Sequence, residues 1–284
     1  PAQRDYRIVV PIANPDNVPQ LMRTADDVAA SNDGEVIVMS VVTLPEQTPL
    51  SEGYERADRR REVIERAMRF AEERDIPVAG TVRIGHHAAD AILNTIEQYD
   101  ADAVLLGWSG TGSRRRDIVL GSTVDEVVRE ASADVFVERV SADAGGDVES
   151  ILLPTAGGPH AELAAETAEA IARTEGASIE VLTVVEDGET NRSRAERIVA
   201  DAAEGLADLD VTTRIAEGDV VSTILEATAD HDLTIIGATQ EGLLQELVFG
   251  AIPVEVGQRA EGTVIMTKRY LGITSRLRRW LRWG

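Results

Sequence analysis

One arrangement of strands, helices and glycines occurs twice along this chain, once in each half. In the first half, Gly107–Gly110 and Leu120–Thr123 flank a loop, and in the second half Gly237–Gln240 and Phe249–Ile252 flank its counterpart. The first glycines of the two motifs are 130 positions apart, and Gly121 and Gly250 are 129 positions apart. Self-similarity at a nearly constant offset indicates a duplicated structural unit, so we expect two copies of one architecture.

Each copy alternates short β-branched runs with amphipathic helical patterns. Strands are predicted at 6–11, 35–42, 79–84, 103–106 and 135–140, and again at 150–154, 177–185, 211–216, 233–236 and 263–267. Helices are predicted near 55–74, at 88–99 and from Ser122, and again near 191–207, at 220–229 and from Ala251. Continuous apolar strands that alternate with helices predict an α/β fold of two tandem doubly wound, Rossmann-like parallel sheets.

The composition between the copies indicates where one domain ends and the next begins. We predict a first domain at 1–140, a small, acidic, glycine-bearing linker at 141–149, a second domain at 150–267 and a basic tail at 268–284. The chain begins at Pro1. This start favours a processed chain or a piece of a longer protein.

The charge balance limits the class of partner. The net charge is -22, and Lys268 is the only lysine among 28 basic residues. Such a surface repels nucleic acid and is typical of a protein adapted to a salt-rich cytoplasm. The sequence has no cysteine and no apolar run of membrane-spanning length, so we expect a cytoplasmic chain without disulfides or thiolate metal sites.

The first-half loop has the residues of an anion site. In a doubly wound sheet the glycine behind the fourth strand lies at the ligand-binding edge. Gly107 and Gly110 would allow the backbone to approach a phosphate, while Ser122 and Thr123 would supply hydroxyls and N–H groups at a helix start. Arg114, Arg115 and Arg116 add positive charge within the loop. The alternatives are ordinary turn chemistry at the glycines and a solvated arginine loop.

The second-half loop lacks most of these groups. Gln240 replaces the second glycine, Ala251 replaces the hydroxyl at the helix start, and Glu241 and Glu246 add negative charge. Carboxylates at that position would repel phosphate. We therefore expect Val184, Gly237, Gln240, Gly250 and Ala251 to form a degenerate second site with a structural role.

The spacing of Gly107, Gly110, Gly121 and Ser122 resembles the nucleotide motif of universal stress proteins. The likeness extends over almost the whole chain and includes the proline after the first strand. It implies a non-catalytic, nucleotide-sensing regulatory module whose two domains pair internally through their last strands, Val135–Val140 and Thr263–Thr267. It also implies that Val41 offers backbone groups to adenine, while the motif residues and Thr123 hold ribose and phosphates.

One position departs from the family pattern. Nucleotide binders of the family usually have an aspartate two residues after the first-strand proline, where this chain has Ala13, followed by Asn14 with its amide. The resemblance thus implies an adenine nucleotide, which leaves ATP, AMP and a cyclic dinucleotide as candidates. It implies no metal except a magnesium ion that a nucleotide would bring.

The basic tail suggests a further partner. Ile273, Leu277, Trp280 and Leu281 follow helical spacing, with Arg276, Arg279 and Arg282 between them. Such a helix would bind an anionic membrane or an acidic partner, or would fold back on the acidic domains. Tandem domains of this family resemble those at the cytoplasmic ends of archaeal amino-acid permeases, so we expect a transporter-linked, membrane-associated module or a stand-alone stress-response protein, with a homo-oligomer as a further option.

Other chemistry remains as an alternative. Slow ATP hydrolysis would need a base, and Asp117 is the only carboxylate within the first loop. A ligand-free structural adaptor is the other possibility. The Gly107–Thr111 stretch only partly matches a nucleophile elbow. The adjacent His86 and His87 would point apart and hold no metal by themselves, and we expect His160 and His231 at the surface.

Overall fold

The structure is a computed structural model that describes residues 6–109, 120–140, 147–185, 189–239 and 249–272. These residues form two compact units. The first unit contains the described residues up to Leu106, Ser122–Phe136 and the described residues from Arg269 onward. The second unit contains the described parts of Gly107–Gly121 and Val137–Lys268.

The first repeat alternates strands and helices in the predicted order. Its strands are β1 (Arg7–Pro11), β2 (Glu35–Thr43), β3 (Val78–Gly85), β4 (Ala103–Trp108) and β5 (Asp134–Arg139). Its helices are α1 (Val18–Ala30), α2 (Gly53–Arg74), α3 (Ala88–Gln98) and α4 (Ser122–Glu130). The strand order is β3-β2-β1-β4-β5, and the pairings of β1 with β2, β1 with β4 and β2 with β3 are parallel.

The second repeat has the same plan. Its strands are β6 (Ser150–Pro154), β7 (Ser178–Val185), β8 (Val211–Glu217), β9 (Leu233–Gly237) and β10 (Thr263–Lys268). Its helices are α5 (Pro159–Glu175), α6 (Glu189–Glu204), α7 (Val220–Thr228) and α8 (Ala251–Arg259). The order β10-β9-β6-β7-β8, with parallel pairs, matches that of the first repeat. The prediction of two doubly wound parallel repeats is confirmed.

The apolar runs of the central strands form the core. Val36–Met39 of β2 are at most 1% exposed, and Ile151, Leu152 and Leu153 of β6 are fully buried. Helices cover both faces of a doubly wound sheet, so its inner strands have no solvent-facing side and need apolar residues at successive positions. This is why these strands appear in the sequence as unbroken apolar runs.

An aspartate holds the start of the first strand in both repeats. Asp102 accepts a hydrogen bond from the Arg7 N–H at 3.1 Å. Asp232 accepts from the N–H groups of Glu149 and Ser150 at 3.1 and 3.0 Å, and from the Ser150 hydroxyl at 2.8 Å. These aspartates lie just before β4 and β9, so each fixes two adjacent strands relative to each other.

Candidate functional site

The strand order reverses beside β1 in the first repeat. The chain passes from β1 to β2 and β3 on one side, and then returns to place β4 on the other side of β1. Ligands of doubly wound sheets bind at the carboxyl ends of the strands at such a reversal. Ala13 and Asn14 follow the end of β1, and Gly107 is the next-to-last residue of β4. The predicted residues are therefore positioned by the strands that flank the reversal.

Val41 lies beyond the last rung of the β1–β2 ladder. That ladder ends with Pro11 opposite Met39 and with a 2.8 Å bond from the Ile12 N–H to the Met39 carbonyl. Alternate residues of a strand direct their backbone groups to opposite neighbours, so Val41 directs its N–H and C=O to the same side as Met39. Its backbone thus faces the region beyond the end of β1, as an adenine contact would require.

A buried hydroxyl ends this ladder. The Ser40 side chain, which is fully buried, donates to the Ile12 carbonyl at 2.8 Å. The equivalent Thr183, 4% exposed, donates to the Thr155 carbonyl at 2.9 Å. Val184 then lies past the last rung of the β6–β7 ladder, just as Val41 does in the first repeat. Our sequence reasoning missed both hydroxyls, although the signal was present as a polar residue at the same place in two apolar runs.

The segment behind β1 is held by local hydrogen bonds. The Asn14 side-chain carbonyl accepts from the Asp16 N–H at 3.1 Å and caps a 3-10 turn at Pro15–Asn17. The Ala13 carbonyl accepts from the Arg60 guanidinium of α2 at 2.7 Å. The oxygen of the Asn14 amide is therefore used within the turn, whereas a cation lies directly beside position 13.

The start of α4 lies behind β4. Gly121 has a φ of 117°, which favours glycine, and a Cβ there would meet no atom of the described residues within 4 Å. Ser122 is exposed and Thr123 is half-buried in the first turn of α4. Hydroxyls and backbone N–H groups at a helix start are the donors an anion would need.

Several predicted residues fall outside the described part of the chain. They are Gly110, Arg114, Arg115, Arg116 and Asp117 of the first loop, Gln240, Glu241 and Glu246 of the second loop, residues 141–146 of the linker, and Ile273, Arg276, Leu277, Arg279, Trp280, Leu281 and Arg282 of the tail. Their roles stay predictions.

Gly237 is the second-repeat equivalent of Gly107. A Cβ on Gly237 would lie 2.6 Å from the carbonyl carbon and oxygen of His160, in the first turn of α5. The His160 carbonyl also accepts from the Thr267 hydroxyl at 3.1 Å. The start of α5 is thus packed directly on the end of β9. The expectation that His160 lies at the surface is wrong, because this packing leaves it only 8% exposed. His231 is half-buried, with its Nδ1 2.8 Å from the Ala227 carbonyl.

The ends of the second loop are bonded to each other. The Thr239 N–H donates to the Phe249 carbonyl at 2.9 Å, and Phe249 is fully buried. Gly250 has a φ of 87°, and a Cβ there would lie 2.1 Å from the Thr239 hydroxyl oxygen. That oxygen is buried and has no hydrogen-bond partner among the described residues. Gly250 is therefore required by the packing of the loop ends.

The adjacent histidines have separate environments. His86 Nδ1 lies 3.1 Å from the Pro45 carbonyl, and His87 Nε2 lies 3.6 Å from a Glu46 carboxylate oxygen. Within the described residues, no three histidine or carboxylate side chains are grouped as a metal site.

The first residues of the tail belong to the first unit. Arg269 is 5% exposed and lies 3.3 Å from the Asp134 carboxylate, which also accepts from the Tyr270 N–H at 2.7 Å. The acidic residue Asp134 of the first unit therefore holds the chain that follows β10.

Among the described helices, none combines the length and the apolar character that crossing a bilayer requires.

Comparison with solved structures supports the fold. A universal stress protein from Archaeoglobus fulgidus DSM 4304 superposes with a TM-score of 0.68 at 18% identity, covering 93% of this chain and 96% of that protein. A functionally unknown protein from Pseudomonas aeruginosa PAO1 gives a TM-score of 0.61 at 16% identity, covering 100% of this chain and 98% of that protein. At such identities the likeness concerns the fold alone.

The curated relatives include a membrane protein. The Na(+)/H(+) antiporter NhaS5 of Synechocystis is 26% identical over 143 residues, which make up 50% of this chain and 20% of the antiporter. The chain thus matches about a fifth of the length of that relative. The sequence model of the universal stress protein family matches residues 6–139 and again 148–268. The chain therefore belongs to the universal stress protein family, with two copies of the family's domain in tandem.

Proposed function

We propose that this chain is a non-catalytic regulatory module that binds an adenine nucleotide in its first repeat. The observation that carries the proposal is the start of α4, where Ser122 and Thr123 stand behind β4 beside the strand reversal. Hydroxyls and N–H groups at a helix start favour a phosphate, and the helix dipole adds a partial positive charge. The loop that completes the site carries Arg114, Arg115 and Arg116.

The neighbouring strands favour a ligand with a base at one end. The backbone N–H and C=O of Val41 on β2 lie past the last residue pair of the β1–β2 ladder. The edge of a base could pair with them there. β1 lies between β2 and β4, and adjacent strands are about 4.8 Å apart. A ligand whose base lies over β2 and whose phosphate lies over the start of α4 would place its sugar over the end of β1. This order is that of a nucleoside phosphate.

The second repeat is proposed to have no phosphate site. Ala251 begins α8 without a hydroxyl, and the first turn of α5 packs on Gly237. Val184, Gly237, Gln240, Gly250 and Ala251 would then keep the loop geometry without binding a ligand. A magnesium ion would enter the first repeat only with the phosphates of the nucleotide.

The transporter link is the finer part of the proposal. The similarity to a Na(+)/H(+) antiporter supports attachment to, or contact with, a secondary transporter. The tail, with Arg276, Arg279, Trp280 and Arg282, is proposed to bind an anionic membrane surface or an acidic face of that partner. Ligand binding would act on the partner only if the liganded and free forms of the module differ in affinity for it.

Calorimetric titration tests the binding function. We expect AMP, ADP, ATP or a cyclic dinucleotide to bind the protein in molar salt, which screens the net charge of -22. The double variant Ser122→Ala and Thr123→Val should weaken binding by about a hundredfold or more, since each hydroxyl hydrogen bond to a charged group contributes about 1.5–3 kcal/mol and about 1.4 kcal/mol corresponds to tenfold.

The second repeat provides the matched control. Ala251→Ser places a hydroxyl at the start of α8 and should create no second binding event, because Glu241 and Glu246 of the second loop would still repel a phosphate. Absence of heat from all four kinds of nucleotide would refute the binding function. Binding that is indifferent to the Ser122 and Thr123 changes would refute this placement of the phosphate.

A further inference from the structure

A cation, Arg60, lies at the strand reversal of the first repeat and has no role in the nucleotide site proposed above. Arg60 of α2 is half-buried, and its guanidinium donates to the Ala13 carbonyl at 2.7 Å. Arg60 and Ala13 both belong to the first unit. The contact places the positive charge of Arg60 directly behind the end of β1.

The neighbouring cations differ from Arg60 in their partners. Arg66 lies 3.2 Å from the Asp16 carboxylate, and Arg61 lies 2.6 Å from the Asp58 carboxylate. Among the side chains that the structure describes, no carboxylate lies within ion-pair distance of Arg60. A guanidinium has five N–H donors and no acceptor, and the bond to the Ala13 carbonyl uses one of these donors. The charge of Arg60 therefore remains available to an anion.

The strand order indicates which part of a ligand would meet this charge. The proposed base contact, Val41, lies on β2, and the proposed phosphate contacts begin α4 behind β4. β1 separates these strands, so the group over Ala13 would be the sugar. This step rests on the proposed function. Position 13 offers the sugar a methyl group and a neighbouring guanidinium, without an acceptor carboxylate for a free diol.

We propose that Arg60 binds a phosphate ester at the 2′ or 3′ oxygen of the ribose, so that the site selects adenine nucleotides phosphorylated on the sugar. A guanidinium fork matches two phosphate oxygens, and these charge-assisted bonds are stronger than bonds to a neutral hydroxyl. Arg60 is thereby a residue that sets ligand specificity, distinct from the groups that hold the 5′ phosphate.

A comparison of matched nucleotides tests this inference. The probes are AMP, ADP, adenosine 3′,5′-bisphosphate and adenosine 2′,5′-bisphosphate, titrated calorimetrically in molar salt. ADP carries a second phosphate on the 5′ side and so controls for total charge. At least one bisphosphate should bind about tenfold more tightly than AMP and ADP. Arg60→Gln should remove this preference, so that the bisphosphates bind no more tightly than AMP.

Two further variants separate the specific contact from general effects. Arg61→Gln removes a neighbouring charge that already pairs with Asp58, and it should keep the preference. Ala13→Asp places a carboxylate beside Arg60 and should abolish the preference while Arg60 remains. Thermal melts of each variant show whether it folds, and Ala13→Asp tests the charge of Arg60 even if Arg60→Gln unfolds the chain.

The outcomes distinguish this inference from the proposed function. If AMP binds but neither bisphosphate binds more tightly, or if Arg60→Gln keeps the preference, the role of Arg60 is refuted and the nucleotide site stands. If none of the four probes binds, this inference is refuted, and the proposed function is refuted with it when ATP and a cyclic dinucleotide also fail to bind.

Discussion

The two repeats agree at the end of their second strands and differ behind their fourth strands. Ser40 and Thr183 donate equivalent hydrogen bonds to the carbonyls of Ile12 and Thr155, and each leaves a valine past the last rung of its ladder. Behind β4, α4 begins with two hydroxyl residues, Ser122 and Thr123, whereas behind β9, α8 begins with Ala251 and Ile252. A duplicated fold can thus keep its strand geometry while the residues at an equivalent helix start diverge.

The glycines before α4 and α8 show the same divergence. Gly121 and Gly250 both have positive φ values, 117° and 87°. A Cβ on Gly121 would meet no atom of the described residues within 4 Å, whereas a Cβ on Gly250 would collide with the Thr239 hydroxyl. Within the described residues, backbone conformation favours glycine at 121, while both conformation and packing favour it at 250.

The largest expected effect is a loss of stability, and it should be greater for substitution of Gly250 than for substitution of Gly121. Gly250→Ala should lower the free energy of unfolding by about 3 kcal/mol, since left-handed strain and overpacking each cost about 1–3 kcal/mol. Gly121→Ala has the strain without the collision and should cost about 1–2 kcal/mol. Denaturant unfolding of the two variants measures the difference.

Thr239→Ala provides the control for that comparison. It removes the hydroxyl that a Cβ on Gly250 would meet, so the double variant with Gly250→Ala should recover part of the loss. Equal costs for the two glycine variants would contradict the distinction between an open and a packed loop end.

An intermediate effect on stability is expected at Ser40 and Thr183, the buried hydroxyl residues that the two repeats share. Ser40→Ala and Thr183→Val should each lower the free energy of unfolding by about 1–2 kcal/mol, because each leaves a buried carbonyl without its donor. Only Ser40→Ala should also weaken nucleotide binding, since Val41 lies beside it in the proposed site. Denaturant unfolding and calorimetry together test this, and a loss of affinity in Thr183→Val would show that the second repeat binds as well.

The smallest expected effect concerns the aspartates that hold the first strands. Burial raises the pKa of Asp232, but hydrogen bonds from the Ser150 hydroxyl and from the N–H groups of Glu149 and Ser150 lower it more, so the net pKa lies below 3.8. The stabilisation is therefore present above the unfolded-state value and is lost as pH falls through the lowered folded-state pKa. In Asp232→Asn, the free energy of unfolding should fall less as the pH is lowered.

Asp102 is the matched position for that measurement. It accepts a hydrogen bond from the Arg7 N–H, as Asp232 does from the N–H groups of Glu149 and Ser150. Unfolding midpoints of Asp232→Asn and Asp102→Asn at neutral pH show how much each aspartate stabilises its own repeat. An acid-side loss in Asp232→Asn as steep as that of the unchanged protein would contradict the role of Asp232.

Much of the fold could be predicted because the relevant signals are local. The strand and helix order followed from apolar runs and helical spacing, and the glycine before α4 followed from the repeated motif. The structure extended β4 through Gly107 to Trp108, where the prediction ended the strand before the glycine. The burial of His160 could not be predicted, because it depends on how closely the first turn of α5 packs on β9.

Sequence patterns assigned the candidate residues to elements, but they did not show the contacts between those elements. Ser122, Thr123 and Val41 were proposed from motif and resemblance, and they lie on α4 and β2, close in chain order to the strand reversal. Arg60 was not found, since 47 residues separate it from Ala13 along the chain. Its contact exists only because α2 packs beside the end of β1, and no local pattern encodes that distance.

The sequence by itself determined that two copies of one doubly wound fold are present, and it predicted an anion site from the hydroxyls and arginines of the first copy. Hydrophobic periodicity, glycine spacing and charge are properties of short segments, so they can be read without coordinates. Only the tertiary structure decided that Arg60 lies against Ala13, that Ser40 and Thr183 end their ladders alike, and that α5 packs on Gly237. These are contacts between distant segments, and close packing of helices on the sheet determines them.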